Sequence, residues 1–299
     1  MSNTSTRSNK LLGIALMLLA MLMFPCLDVL AKKLGAEGQP VMQSVWSRLA
    51  LGALLTLPLL AAREGRDGLA PRAIPLNMLR GLAIISTTFF FFSAMKFQGI
   101  AQTLSLYFVQ PILVIGTAPL LLGERMRLSR WLAVIGGFIG VLVIIRPGMI
   151  ALNPGALLAL VSGASAAVVI LTSRMLAARA SALSNTFYTS LWGGIVCTLI
   201  MLWQWQTPTS SQWLMMFGIA TIGTTCNFLM IKAFEWCEAS LLAPFGYAEM
   251  INAVFLGWLF FGDLPDRWTF VGVAILISAA LYVSSREHTA IKGETPAQV

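Results

Sequence analysis

Three ionisable side chains stand in stretches otherwise too apolar for water: Asp28 in MLMFPCLDVLAKK, Arg48 in SVWSRLALG and Glu249 in APFGYAEMINAV. A carboxylate held away from water can exchange a proton or neutralise a bound cation, and a guanidinium can grip a carboxylate through its planar fork. Such charges are costly in hydrocarbon and therefore face a cavity or a partner. Asn252 follows Glu249 by three residues and shares nearly its helical face, whereas Tyr247, two residues before, points elsewhere. Thr88, Gln102, Tyr107 and Gln110 in the first half and Asn227 in the second add polar groups within apolar runs, and Trp46 precedes Arg48 in a W-x-R pattern.

Each charge allows two readings. Glu249 either couples to protons or holds a cationic group, or it is a carboxyl that serves only the packing of the bundle. Arg48 either contacts a ligand carboxylate or clamps Asp28. Asp28 either pairs at the interface with Lys32, one turn later on the same face, or joins Pro25 and Arg48 in a polar pocket near the outer mouth. The FFFF run from Phe89 to Phe92 cannot face one direction, so core packing is its default.

Catalysis is poorly served by this inventory. Cys26, Cys197, Cys226 and Cys237 lie in apolar segments without C-x-x-C spacing, and the single histidine, His288, lies in the C-terminal tail. Neither a zinc site nor a disulfide framework nor a cofactor motif is expected, and no catalytic residue is nominated.

The elements that must position these groups are membrane helices, because 58% of residues are apolar, 11% are charged and the mean hydropathy is +0.81. That composition lies far from soluble domains. Windows of about 20 apolar residues fall near residues 11 to 31, 42 to 62, 76 to 97, 100 to 122, 131 to 147, 154 to 173, 184 to 204, 211 to 234, 239 to 261 and 268 to 284. Ten spans place both termini on one side. With that side cytoplasmic, Arg63, Arg66, Arg72, Arg80, Arg125, Arg127, Arg130, Arg174 and Arg179 fall inside, and only Lys32, Lys33, Lys96, Arg146 and Arg267 fall outside. This is the positive-inside distribution. The excess of 20 Lys and Arg over 12 Asp and Glu is therefore topological and implies no nucleic-acid partner.

An internal repeat accompanies the spans. The segment from Gly81 lies over that from Gly218, with Thr87-Thr88 on Thr224-Thr225, Ala101 on Ala239, Gly123-Glu124 on Gly262-Asp263, and Arg130-Trp131 on Arg267-Trp268. Five spans per copy force opposite orientations, the arrangement that lets two halves exchange roles in alternating access. The units are residues 11–148 and 154–285, followed by a cytoplasmic tail, 286–299. Small residues at four-residue spacing, Gly136 and Gly140, then Gly155, Ala159 and Gly163, read as close helix contacts.

With Pro111 to Gly123-Glu124, the run from Trp131 to Gly148 and the matching GD-L-P, the chain resembles the EamA branch of the drug/metabolite transporters over residues 11 to 285. D-x-x-A-K (Asp28 to Lys32), W-x-R (Trp46 to Arg48) and A-P-F-x-Y-x-E (Ala243 to Glu249) are similar to a bacterial subgroup that includes riboflavin transporters, S-adenosylmethionine transporters and exporters of opine-type metallophores. The resemblance implies ten helices around a cavity lined mainly by the first, third, fourth, sixth, eighth and ninth. Glu249 departs from the family pattern, which commonly has proline where Glu249 aligns with Pro111.

The expectation is an all-α, multi-pass protein of the bacterial inner membrane. Its partners would be a small polar metabolite, the lipid bilayer, protons as coupling ion and a second copy of the chain as a homodimer. Export of an amino-acid-derived carboxylate is favoured, with uptake of riboflavin or of a nucleoside-like metabolite as the alternative. An intramembrane enzyme lacks a reacting constellation, and a channel lacks a filter segment.

Overall fold

The computed structural model describes residues 2–70, 73–122, 128–145, 153–177, 179–236, 245 and 248–293. They form α1 (Ser2–Ala36), α2 (Val41–Trp46), a π-helical turn (Ser47–Leu51), α3 (Gly52–Gly68), α4 (Ile74–Ala94), α5 (Ile100–Tyr107) and α6 (Val109–Leu122). Then come α7 (Leu128–Ile145), α8 (Pro154–Ala177), α9 (Ala182–Met201), α10 (Ser210–Trp236), α11 (Ala248–Phe261) and α12 (Arg267–Gly293). The fold is all-α. The second span is α2, the π turn and α3 in continuity, and the fourth is α5 and α6 broken at Phe108, which gives the ten expected spans.

Local chemistry explains the break. Pro111 supplies no N–H and its ring crowds the carbonyl four residues back, that of Tyr107, so the ladder fails there. Phe108 has φ −67° and ψ 4°, outside the helical region. Gly163 of α8 lies so close that a Cβ would meet the Tyr107 carbonyl oxygen at 2.7 Å, so only glycine permits this approach. The small-residue spacing of the sequence is used likewise at Gly140, where a Cβ would meet the Gly272 oxygen of α12 at 3.0 Å.

Among the described residues, five segments are long and apolar enough to cross a membrane: Leu11–Ala36, Val41–Gly65, Ile74–Ala94, Pro154–Ser173 and Ser210–Ala233. Shorter apolar helices, among them Ile100–Val114 and Ala248–Phe261, fill in between. Leu157, Leu214 and Ile251 face outward, as lipid-facing residues do. Helix α9 behaves differently. It buries every residue from Ala182 to Ser190, and its polar side chains find partners inside: Asn185 Nδ2 donates to the Ala180 carbonyl at 3.0 Å and Ser184 Oγ to that of Gly68 at 3.1 Å.

Packing carries the inverted repeat. The first span packs on the eighth (α1 with α10) and the sixth on the third (α8 with α4), a pair of contacts that exchange when the halves are swapped. The third on the seventh (α4 with α9) exchanges with the eighth on the second (α10 with the π turn and α3), and the first on the ninth (α1 with α11) with the sixth on the fourth (α8 with α6 and α5). Second with seventh, fourth with ninth and fifth with tenth (α7 with α12) map onto themselves.

Candidate functional site

The nominated charges come from distant parts of the chain and meet in the interior. Asp28 sits on α1, one turn after Pro25, and is 6% exposed. Arg48 lies in the π turn, an irregularity that displaces side chains from regular helical register and recurs at functional sites. Its Nη1 donates to Thr88 Oγ1 of α4 at 2.9 Å, and its guanidinium carbon lies 5.9 Å from the Phe24 ring centre of α1. Glu249 is half-buried on α11. Asp28, Arg48 and Glu249 act on one another electrostatically, and all three act on Tyr107 and Cys226. The cluster thus draws on the first, second, third, fourth, eighth and ninth spans.

Other nominated residues flank it. Asn252 Nδ2 donates to the Leu22 carbonyl of α1, tying α11 to α1 beside the cluster. The Tyr107 ring meets Phe91 edge-on at 5.5 Å, which accounts for one ring of the FFFF run, and Gln110 is buried one turn further on. Asn227 Nδ2 bonds the Gly223 carbonyl of its own helix at 2.9 Å. Trp46 stands apart: its Nε1 donates to Thr198 Oγ1 of α9 at 2.9 Å and its ring packs on Trp205 at 5.1 Å. Tyr247, Pro244, Cys237 and Gly123-Glu124 lie outside the described residues.

Of the two readings left open for Asp28 and for Arg48, the ion pairs are not formed. Lys32 does not pair with Asp28; it forms a salt bridge with Asp263 at the end of α11 and lies 4.5 Å from the Phe261 ring centre. Intrahelical spacing brought Lys32 and Asp28 to one face, but Asp28 turns into the bundle while the longer lysine reaches across to another helix. Nor do Arg48 and Asp28 form an ion pair; Arg48 Nη1 donates to Thr88 instead.

Arg80, counted on the cytoplasmic side near the start of the third span, also belongs to the interior. Arg80 on α4 is 1% exposed and shares a small cavity with Arg48, Thr189, Ser190, Thr224 and Asn227. The second and seventh spans therefore contribute lining beyond the helices that the family resemblance implied. Close packing allows this, since a Cβ on Gly194 would meet Ala50 Cα at 2.9 Å and one on Gly81 the Thr189 oxygen at 3.0 Å. A sequence signal existed: Arg80 precedes Thr88 by eight residues, two turns along one face.

Two repeated five-helix halves around a charged interior define the class, a membrane carrier of the drug/metabolite transporter kind. The chain belongs to the EamA-like transporter family, whose sequence model matches residues 11–146 and 153–285. It is similar to the S-adenosylmethionine uptake transporter of Rickettsia prowazekii (strain Madrid E), 24% identical over 286 residues, covering 96% of this chain and 97% of that protein. The riboflavin transporter of Vibrio cholerae is 26% identical over 286 residues, covering 95% and 96%. The pseudopaline exporter CntI of Pseudomonas aeruginosa is 26% identical over 275 residues, covering 91% and 95%. A solved crystal structure shares the fold with a TM-score of 0.64 at 17% identity, over 95% of this chain and 99% of that one.

Proposed function

We propose that this transporter exports a small amino-acid-derived metabolite bearing a carboxylate across the bacterial cytoplasmic membrane by alternating access, with both termini cytoplasmic and Glu249 coupling the step to protons. The observation that carries the reading is one guanidinium and two carboxylates in a single interior cluster, Arg48 with Asp28 and Glu249. A guanidinium fork suits a carboxylate, and two acids suit an ammonium or other cation. An amino-acid end group presents both charges at once. Pseudopaline, named for one relative, motivates the metallophore-like substrate and the outward direction.

Uptake of a nucleoside-like metabolite is the second reading, favoured by the same cluster, because S-adenosylmethionine, named for another relative, carries an amino-acid end group. A neutral flavin would leave the charges unmatched. Comparative metabolomics of cells and medium from a deletion strain separates these. The expected result is one carboxylate-bearing compound enriched inside the cells and lost from the medium. A compound depleted inside and left in the medium indicates uptake, and identical small-molecule profiles would overturn both.

A further inference from the structure

The buried guanidinium of Arg80 is only partly satisfied. Its Nη1 donates to Thr189 Oγ1 at 3.1 Å, and Thr189 is hydrogen-bonded in turn to Asn77 Oδ1 at 3.2 Å, but its Nε has no partner. Among the described residues no carboxylate forms an ion pair with it. An unpaired buried cation is strongly destabilising, and in a bilayer it is expected to face a partner or a pathway. The repeat does not demand a cation here, because the position before Gly218 in the second copy is Phe217, 48% exposed.

The arrangement around it is that of a half-filled anion site. Arg80, Ile84 and Thr88 succeed one another by four residues on one face of α4, and Thr88 at the far end holds Arg48. The Nε of Arg48 is likewise buried and unpartnered. Both arginines line one cavity, whose remaining polar lining is hydroxyls and the Asn227 amide. At about 10 Å³ it is water-sized in this conformation, so a larger group enters only as α4 and α9 separate.

Resting on the transport reading for the identity of its occupant, we propose that this cavity is an oxyanion subsite that receives the substrate carboxylate, with Arg80 as its second cation beside Arg48. As the cytoplasmic half opens, the carboxylate meets the guanidinium of Arg48, held by Thr88, and that of Arg80, held by Thr189. Phe217 at the position matching Arg80 offers no second cation at the repeat-related place.

The test uses the full chain in lipid nanodiscs, with its thermal midpoint titrated by sodium acetate against sodium chloride at matched ionic strength. Native protein should show a saturable rise specific to acetate. Arg80→Gln should weaken the apparent acetate affinity about tenfold or more, the scale of a lost charge-assisted hydrogen bond. Arg80→Lys, which keeps the charge but not the fork, should weaken it less. If Arg80→Gln does not fold, Arg80→Lys and Thr189→Val carry the comparison. Equal responses to acetate and chloride overturn the subsite, whatever the metabolomics shows. Unchanged acetate affinity in the Arg80 variants, with loss in Arg48→Gln, also overturns it while leaving the carboxylate-transport reading intact.

Discussion

Glutamine at position 249 would keep the shape and hydrogen bonding of Glu249 and remove its ability to carry a proton. Under proton coupling, Glu249→Gln is expected to abolish gradient-driven accumulation in proteoliposomes while substrate counterflow stays measurable. If Glu249 instead holds a substrate cation, counterflow itself should fall. Normal accumulation and normal affinity in a well-expressed variant would return Glu249 to a packing role. Under proton coupling, the electrostatic neighbours Asp28 and Arg48 would make the exchange sensitive to the site's occupancy, because a bound carboxylate or ammonium changes the field at the same carboxyl.

Helix interruptions and close approaches build the site at the scale of elements. The π turn displaces Arg48 within the second span, and the break at Phe108 divides the fourth beside Tyr107. Gly163 is the sharpest test of that construction, since a side chain there meets the Tyr107 carbonyl at 2.7 Å and Val109 Cγ1 at 2.8 Å. Gly163→Val should cost about 1–3 kcal/mol of stability by overpacking, read as a lowered midpoint in a thermal ramp monitored by size exclusion. Gly136→Ala serves as the control, because a Cβ there meets Ala279 at 3.4 Å, an ordinary contact. Equal midpoints for the two variants would remove the close-approach argument.

The whole molecule is tied by contacts that exchange between halves, and the orientation proposed for it makes a checkable statement about sides. On a background lacking Cys26, Cys197, Cys226 and Cys237, a cysteine replacing Arg66 should resist an impermeant maleimide in intact cells and react once the membrane is opened. Labelling in intact cells would overturn the cytoplasmic placement of the connection between the second and third spans. The Lys32–Asp263 salt bridge joins the end of α1 to the end of α11, one span before the connection between α3 and α4 and so at the opposite end of the bundle. In the same orientation this bridge lies at the outer side of the bundle.

Apolar run length, the segregation of lysine and arginine and the Gly81/Gly218 repeat were legible in the chain because hydrocarbon imposes a length and an internally satisfied backbone on every span. The same constraint made Asp28, Arg48 and Glu249 conspicuous, since an ionisable group in such a run stands out without any knowledge of its neighbours. Partners were not legible. Lys32 finding Asp263, Trp46 turning to Thr198 and Arg48 reaching Thr88 depend on which faces of separate helices meet. Arg80 shows the limit most clearly: near a span end its charge reads as a loop anchor, and only the packing of α4 against α9, allowed by Gly81 and Gly193, encloses it. Spacing along one helix sets which residues share a face, whereas tertiary packing decides what that face meets.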